Sequence, residues 1–493
     1  MSENTDNNED HLVKGRREKH EAALASGGYP HRFERSDLAG DLHARYADLE
    51  PASETGDRVT VAGRLMLHRS FGKLQFGTVQ DVSGSVQLFV ERATAGDEVA
   101  TAFADLDLGD WVGASGVVMT TKKGELSVKV DSLTLLQKAL RPLPDKWHGL
   151  VDVETRSRQR YVDLMVNPDA RRTALVRSGV VSALRHEFEA RGFVEVETPV
   201  LLTQATGALA RPFVTHHNAL DIDLQLRIAT ELYLKRLVVG GIEKVYEIGR
   251  IFRNEGIDAT HNPEFTMLEA YQAFADYGDI MDLVEAVISS VAVDAVGNHS
   301  VFYQGRELSF SPPFARSTLI DLVSGFVGET VDYDTDPDRL GELLAGRGVD
   351  VEDGWGSGKR LFELYELALE EIWDPTFVMD FPTEVSPLSR TSPSDPRVTE
   401  RFELVIAGAE YCNAFSELND ADDQRSRFEA QAAARAAGNQ EAHVIDEDYI
   451  RALEFGLPPT GGLGIGVDRL VMLLTDQPHI REVILFPTLR PES

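Results

Sequence analysis

Phe252-Arg253-Asn254-Glu255-Gly256, followed closely by His261-Asn262-Pro263-Glu264-Phe265-Thr266-Met267-Leu268-Glu269-Ala270-Tyr271, is the stretch on which the reading of this 493-residue chain turns. Side chains alternate between the two faces of a strand. Phe265, Met267, Glu269 and Tyr271 therefore share one face, and Thr266, Leu268 and Ala270 the other. An aromatic ring, a carboxylate and a phenol on one face suit a pocket wall, because carboxylates are seldom buried unless paired or functional. The plainer alternative is a half-buried strand in which Glu269 pairs with a nearby arginine.

A second arginine-bearing stretch lies near the C-terminus: Gly461-Gly462-Leu463-Gly464-Ile465-Gly466-Val467-Asp468-Arg469. Arginine is planar, permanently charged and grips phosphate oxygens bidentately. Two arginines on separate elements, with acidic residues able to hold magnesium, make a clamp for a nucleoside triphosphate. The glycine run lacks the GxGxxG spacing and βαβ context of a dinucleotide fingerprint. It reads instead as a strand-to-helix turn whose glycines admit close backbone packing. Arg469 then opens a helix with Leu470, Val471, Leu473 and Leu474 as its apolar face.

Between the two lies Asn413-Ala414-Phe415-Ser416-Glu417, where Asn413, Phe415 and Glu417 share a face. Glu403 and Glu410 lie just upstream. The odd spacing from Glu410 to Asn413 means that a flat strand cannot aim both at one site, so a turn or bulge near Gly408 is required.

The rest of the chain sets bounds. Its length predicts two or three domains. Hydrophobic content of 42% and charged content of 26% are ordinary for a globular protein. No apolar run is long enough to span a bilayer and no signal peptide pattern is visible. One cysteine, Cys412, leaves no intramolecular disulfide and no cysteine-based zinc site. A cytoplasmic enzyme is expected. Residues 1–10 are polar and acidic and are expected to be disordered. The net charge of −32, from 49 basic and 81 acidic residues, argues against a nucleic-acid binder, although a local basic face can sit on an acidic molecule. Lys14, Arg16, Arg17, Lys19, Lys73, Lys122 and Lys123 either form such a face or are solvated surface charges.

A charged helix is predicted over 12–25. Short strands follow at 58–67, 74–81, 85–91, 111–120 and 125–136, punctuated by Gly72, Gly84 and Lys123-Gly124. Five strands ahead of a larger domain suggest an OB-type barrel, a fold that binds single-stranded nucleic acid; the alternative is a barrel used only for interaction. Arg141-Pro142-Leu143-Pro144-Asp145-Lys146 reads as a linker. An amphipathic helix over 171–191, ended by Gly192, leads into Phe193-Val194-Glu195-Val196-Glu197-Thr198-Pro199, a strand stopped by proline. Residues 276–401 mix helices near 280–295 and 360–371 with loops rich in Pro, Gly and Asp, and look like an insertion.

Helix, strand and proline, then the Arg253 stretch, then the Arg469 stretch, resemble in that order motifs 1, 2 and 3 of class II aminoacyl-tRNA synthetases. Longer runs are more specific: Lys138-Ala139-Leu140-Arg141-Pro142-Leu143-Pro144-Asp145-Lys146, Arg211-Pro212-Phe213-Val214-Thr215-His216-His217-Asn218 and Phe415-Ser416-Glu417-Leu418-Asn419-Asp420. These resemble the bacterial-type lysyl-tRNA synthetases, and the resemblance covers about 12–491. It implies an α+β chain: an N-terminal tail and helix (1–57), an OB-fold anticodon-binding β-barrel (58–140), a linker (141–170) and a catalytic domain (171–493) with a central antiparallel sheet flanked by helices and an insertion at about 277–400. It implies a ligase that activates L-lysine with ATP and transfers it to tRNA(Lys), as a homodimer built on motif 1 and away from membranes.

The resemblance also implies roles at matching positions. Arg253 and Arg469 are the catalytic pair. Arg253, Glu255, His261, Asn262, Phe265 and Arg469 bind ATP, with Phe265 and Arg469 on opposite faces of the adenine. Glu403 and Glu410 bind ATP through Mg2+. Gly207 and Glu231 receive the α-amino group of lysine, Arg253 its carboxylate, and Glu269, Tyr271 and Glu417 its ε-ammonium, with Asn413 and Phe415 lining the pocket. Arg69, Phe76, Gln87 and Glu125 match anticodon-reading positions. A substrate with two ammonium groups calls for several carboxylates. A neutral competitor leaves them buried and unpaired, which gives discrimination on the order of 1,000-fold.

Some positions depart from the usual family wording. Thr206 stands where a second glycine is common, Ala208-Leu209 replaces smaller residues, Thr230 stands where proline often precedes Glu231, Gly249 replaces an asparagine, Ala270 a larger apolar residue and Ala409 an arginine. The plain reading is drift. The sharper reading is a specialised paralogue that activates lysine or a lysine analogue with weak or no tRNA charging. An aspartate or asparagine enzyme shares the architecture, but acidic pocket residues argue against an acidic substrate. A nucleic-acid-binding protein built on an inactive synthetase is disfavoured by the presence of Arg253, Arg469, Glu403 and Glu410.

Overall fold

The structure, a computed structural model, describes residues 2–144, 150–208, 210–352, 354–436 and 445–492, without side-chain detail at 2–10 and 434–436. Asp145 and Lys146 of the expected linker, and Leu209 among the departures, fall outside them. The chain divides into two compact units, Met1–Leu150 and Val151–Ser493.

In the first unit a helix spans Ser2–Ala25, starting ten residues before the predicted helix and running through the segment expected to be disordered. No proline interrupts it. Two of the basic residues set aside for a nucleic-acid face are used inside the unit. Arg16 is buried and its Nη1 donates to the carbonyls of Leu108, Ala139 and Arg141. Lys19 pairs with Asp107 at 3.0 Å. The barrel strands are β1 (Glu54–Phe71), β2 (Leu74–Gln80), β3 (Ser85–Glu91), β4 (Trp111–Thr120) and β5 (Leu126–Gln137). They close in the order β1-β2-β3-β5-β4. Alternation does the work: Val79, Val86, Leu88 and Val90 point inward with Val112, Val118 and Val128, and their sequence neighbours face out. Gly72, at φ +64°, makes the β1–β2 turn that a side chain would strain.

The second unit is built on an eight-stranded sheet in the spatial order 315–318, 376–382, 398–406, 409–416, 460–466, 264–273, 244–252 and 194–195. It is antiparallel except at its ends, where 315–318 runs parallel to 376–382 and 194–195 parallel to 244–252. The strand expected to run to Pro199 is thus only Val194–Glu195. One sheet face carries Leu268, Ala270, Ala414, Leu463 and Ile465, packed under helices Pro168–Ala190, Tyr277–Val296 and Val467–Thr475 through Leu184, Val284, Ile288 and Leu470. Ala270, small where a larger residue is common, belongs to this core.

The span expected as an insertion, about 277–400, is partly framework. It supplies the helix Tyr277–Val296 and two sheet strands, Ala315–Thr318 and Thr376–Pro382. Short strands between Pro- and Gly-rich loops carry too few residues for their period to show. The expected linker also holds structure, the helices Val153–Arg158 and Arg160–Val166.

Candidate functional site

On the opposite sheet face lies a cavity of about 500 Å3. Its floor is made by three strands. The strand Thr460–Gly466 runs between Glu264–Ala273 and Ala409–Ser416, so Gly462 lies between Tyr271 and Phe415, and Gly464 between Glu269 and Asn413. These glycines sit within the strand rather than in a turn, and they are there for space. A Cβ at Gly462 would overlap Glu417 Oε1 and come within 2.6 Å of Tyr271; one at Gly464 would come within 2.6 Å of Met267 Cε. The glycine ladder lets the side chains on either side lean over the floor.

Phe265, Met267, Glu269 and Tyr271 all line the cavity, as does Glu417 together with Asn413 and Phe415. The irregularity required between Glu410 and Asn413 is present. The hairpin turns at Ala407 and Gly408, both at positive φ. Leu404 then pairs with Cys412 and Val405 with Glu410, leaving Tyr411 as an extra residue that brings Glu410 back to the cavity face.

At one end of the cavity three carboxylates are buried. Glu417 is 1% and Glu269 4% exposed, with Glu231 beside them. Among the described residues Glu269 pairs with no arginine. It accepts the Thr230 backbone N–H at 3.0 Å and the Tyr271 hydroxyl at 3.2 Å. Burial, with Glu231 adding to it, pushes Glu269 up to about 7. Gly207, at φ +95°, also lines this end, in a backbone conformation that favours glycine.

Lys235 escaped the sequence reading. It is fully buried and forms ion pairs with Glu231, at 2.6 Å, and with Glu417. Burial alone lowers a lysine pKa, but Glu231 and Glu417 together hold this one above its ordinary value. The rings of Phe415, Tyr271 and Tyr449 stand 5.4, 5.9 and 5.9 Å from its ammonium. A local signal existed: Glu231 and Lys235 are four apart on the helix Glu231–Val239.

The other end gathers the arginines. The Arg253 guanidinium lies 5.2 Å from the centre of the Phe265 ring, and burial lowers its pKa. Arg469 donates to the Glu410 carbonyl at 2.8 Å, with the Glu410 carboxylate at 3.7 Å and His261 Nε2 at 3.5 Å. Asn262 is buried and donates to the Glu264 carbonyl, while Glu255 is exposed at the rim. Glu403 is held on both oxygens, by Tyr365 at 2.7 Å and Arg401 at 2.5 Å. Burial and then Glu410 push it up to about 7. Arg401 also donates to Asn413 at 3.1 Å, tying this end to the carboxylate end. Neither Arg401 nor Tyr365 was singled out from sequence. Arg401 is two residues from Glu403 on one strand face, which was the available clue.

Of the departures, Gly249 has a structural reason: a Cβ there would overlap the Arg227 guanidinium, which is ion-paired with Glu247. Thr206 donates to Asp446 at 3.3 Å. Nothing in the structure explains Ala409.

In the barrel, Arg69 pairs with Phe76, Phe76 with Phe89, and Gln87 with Thr78, so Arg69, Phe76 and Gln87 fall on neighbouring strands. Phe76 makes edge contacts with Phe71 at 6.1 Å and Phe89 at 5.4 Å, two aromatics the sequence reading passed over. Gln87 accepts the Ser127 hydroxyl at 2.9 Å. Glu125 is exposed in the β4–β5 turn.

The comparisons agree on kind. The pattern of tRNA synthetases class II (D, K and N) matches residues 152–490, and that of an OB-fold nucleic acid binding domain matches 59–136. A Lysine--tRNA ligase of Prochlorococcus marinus (strain MIT 9211) is 53% identical over 483 residues, covering 95% of this chain and 96% of its own. One from Azoarcus sp. (strain BH72) is 51% identical over 98% of both chains. One from Enterococcus faecalis (strain ATCC 700802 / V583) is 51% identical over 96% of both. With an antiparallel sheet carrying an arginine-and-carboxylate cavity, and with matches of this extent, the chain belongs to the class II tRNA synthetases of the D, K and N group.

Proposed function

We propose that this chain is a lysine–tRNA ligase: it activates L-lysine with ATP to lysyl-adenylate and pyrophosphate, then transfers the lysyl group to the 3′ end of tRNA(Lys). The observation that carries this is the charge at the closed end of the cavity. Among the described residues Glu231 and Glu417 share one ammonium, Lys235, and Glu269 pairs with none. Two negative charges are left over, which matches the two ammonium groups of lysine. An aspartate or asparagine substrate would leave that end uncompensated.

In this reading Gly207 and Glu231 receive the α-amino group. Glu269, Tyr271 and Glu417 receive the ε-ammonium, with Asn413 and Phe415 as walls. Arg253 receives the carboxylate and steadies charge on the α-phosphate. No general base is needed, since the carboxylate is already the nucleophile and positioning supplies the rate. Phe265 and Arg469 hold the adenine, with Glu255, His261 and Asn262 at the rim. In the second step the ribose hydroxyl of the tRNA terminus attacks the adenylate carbonyl and AMP leaves.

Glu403 and Glu410 suit Mg2+, which takes one or two carboxylates together with phosphates and water. No group of three metal-holding side chains occurs among the described residues, so the remaining ligands would come from ATP and solvent. Bound there, the cation would neutralise phosphate charge.

The barrel residues Arg69, Phe76, Gln87 and Glu125 are proposed to read the anticodon. The exposed apolar side chains Val194, Val200, Leu201, Val214 and Ile222 support a homodimer. No helix among the described residues is long and apolar enough to cross a membrane, and a cytoplasmic setting is proposed.

ATP–pyrophosphate exchange with each of the twenty amino acids, then charging of tRNA with the winner, tests the reading. Lysine-dependent exchange followed by charging is expected. Exchange without charging points to the specialised paralogue, and no response to lysine overturns the proposal.

A further inference from the structure

Arg401 lies on the strand Val398–Ile406, directly across from Phe415, and Glu403 lies on the same strand across from Asn413. The row through Glu403 and Asn413 continues across Gly464 to Glu269. Asn413 thus stands in one row with a carboxylate of each end of the cavity. The Arg401 side chain has little freedom there. Its Nε donates to Asn413 Oδ1 at 3.1 Å, its Nη1 to the Val385 carbonyl and the Ser386 hydroxyl, both at 3.1 Å, and its Nη2 to Glu403 Oε1 at 2.5 Å. The Phe381 ring, centred 4.4 Å from the guanidinium carbon, closes one of its faces, and the residue is buried.

An asparagine amide has an accepting oxygen and a donating nitrogen, whereas a guanidinium has five donors and no acceptor. Arg401 can therefore meet only the oxygen of Asn413. With Oδ1 held in this way, Nδ2 is the end left for the cavity that Asn413 lines. Among the described residues Nδ2 has no hydrogen-bond partner, and the two oxygens of Glu403 are already held by Arg401 and Tyr365. Of the polar groups of lysine the two ammonium groups only donate, and the carboxylate alone accepts. A donor turned to the cavity suits the carboxylate and neither ammonium.

We propose that Arg401 is a positioning residue of the amino-acid pocket: by holding Oδ1 of Asn413 it turns the amide so that its NH2 meets the carboxylate of the substrate. This rests on the lysine reading above. A purely structural role, tying Glu403 and the 385–386 segment to the strand, would leave open which end of the amide faces the cavity.

Lysine binding measured by calorimetry, without ATP or Mg2+, tests this with no phosphate oxygen present to take the amide. Wild type comes first: absence of lysine binding overturns the ligase reading, and this role with it, before any variant is compared. N413A should weaken lysine binding about tenfold, as loss of a hydrogen bond to a charged group does. N413D keeps an acceptor for Arg401 but turns a carboxylate oxygen to the cavity, and should weaken binding about 100-fold through like charge. R401Q, whose amide can meet either end of Asn413, should cost about fivefold alone and less than about twofold when N413A is already present. Binding of lysine to N413D as tight as to wild type overturns the proposal, since an acceptor is then what the site presents. So does an equal cost of R401Q with and without N413A, which makes Arg401 act independently of that amide. Should R401Q fail to fold, R401K takes its place in the same comparison, and equality there overturns the proposal in the same way.

Discussion

The barrel face around Phe76 and the closed end of the cavity are built on opposite principles. Around Phe76 the side chains are partly open to solvent, meet edge to face with ring centres 5.4 and 6.1 Å apart and carry little charge against one another. Around Glu417 three carboxylates and one ammonium are shut away from water within hydrogen-bond range of each other or of the main chain. Stacking surfaces contribute separately, so losing one leaves the others as they were. Buried charges are coupled, so losing one leaves its partners unpaired at a cost larger than the bond itself. The proposed anticodon face thus has replaceable parts, and the proposed amino-acid pocket parts that fail together.

That contrast can be broken by experiment, and the largest effect is expected at the arginine end. Arg253→Ala removes the charge proposed to meet both substrates, and exchange activity should fall on the order of 1,000-fold. Survival of exchange within tenfold of wild type would remove Arg253 from the mechanism. Next comes Lys235→Met. It leaves Glu231 and Glu417 facing each other without a cation, and chemical denaturation should show a loss of about 3–5 kcal/mol. A loss near zero would mean that the carboxylates are not coupled through it. Glu417→Gln should raise the KM for lysine by about 100-fold while moving that for ATP far less; equal rises would place Glu417 outside the amino-acid pocket.

Phe76→Ala should be milder and confined to the other region. The KM for tRNA should rise by about tenfold, within the range for one lost stacking partner, with exchange untouched. A fall in exchange would show that the contrast between the regions is false. The smallest effect is expected from pH. Glu269 titrates near 7 in the folded chain, above its ordinary 4.5. Between those values the folded state keeps a proton that the unfolded state has released. The stability Glu269 contributes is therefore present at low pH and lost as pH rises toward 7. In the proposed pocket lysine needs the ionised form, so its KM should fall as pH rises from 6 to 8, and thermal stabilisation by lysine should grow over the same range. A KM independent of pH would mean that Glu269 stays charged throughout.

Four of the five barrel strands were legible to within a residue, because period-two alternation between glycine turns is a local property, while the first, expected over 58–67, runs Glu54–Phe71. Ser85–Glu91 and Trp111–Thr120 were anticipated at both ends. The sheet strands Ala315–Thr318 and Thr376–Pro382 were not, being short and set among loops that carry no period. In the cavity, Phe265 through Tyr271 and Asn413 through Glu417 could be paired off by alternation alone. The glycine run was understood as close packing, but placed in a turn. Its true place, between two pocket strands, depends on which strands become neighbours.

Sequence by itself determined which side chains share a strand face, where the arginines and carboxylates lie along the chain, and that a break was needed between Glu410 and Asn413. Those follow from strand geometry within a few residues. Tertiary structure decided that Lys235 stands between Glu231 and Glu417, that Gly462 and Gly464 make the floor, and that the Thr230 amide meets Glu269 from 39 residues away. These contacts join strands and helices distant in the chain, and their energies come from burial that no local pattern of residues records.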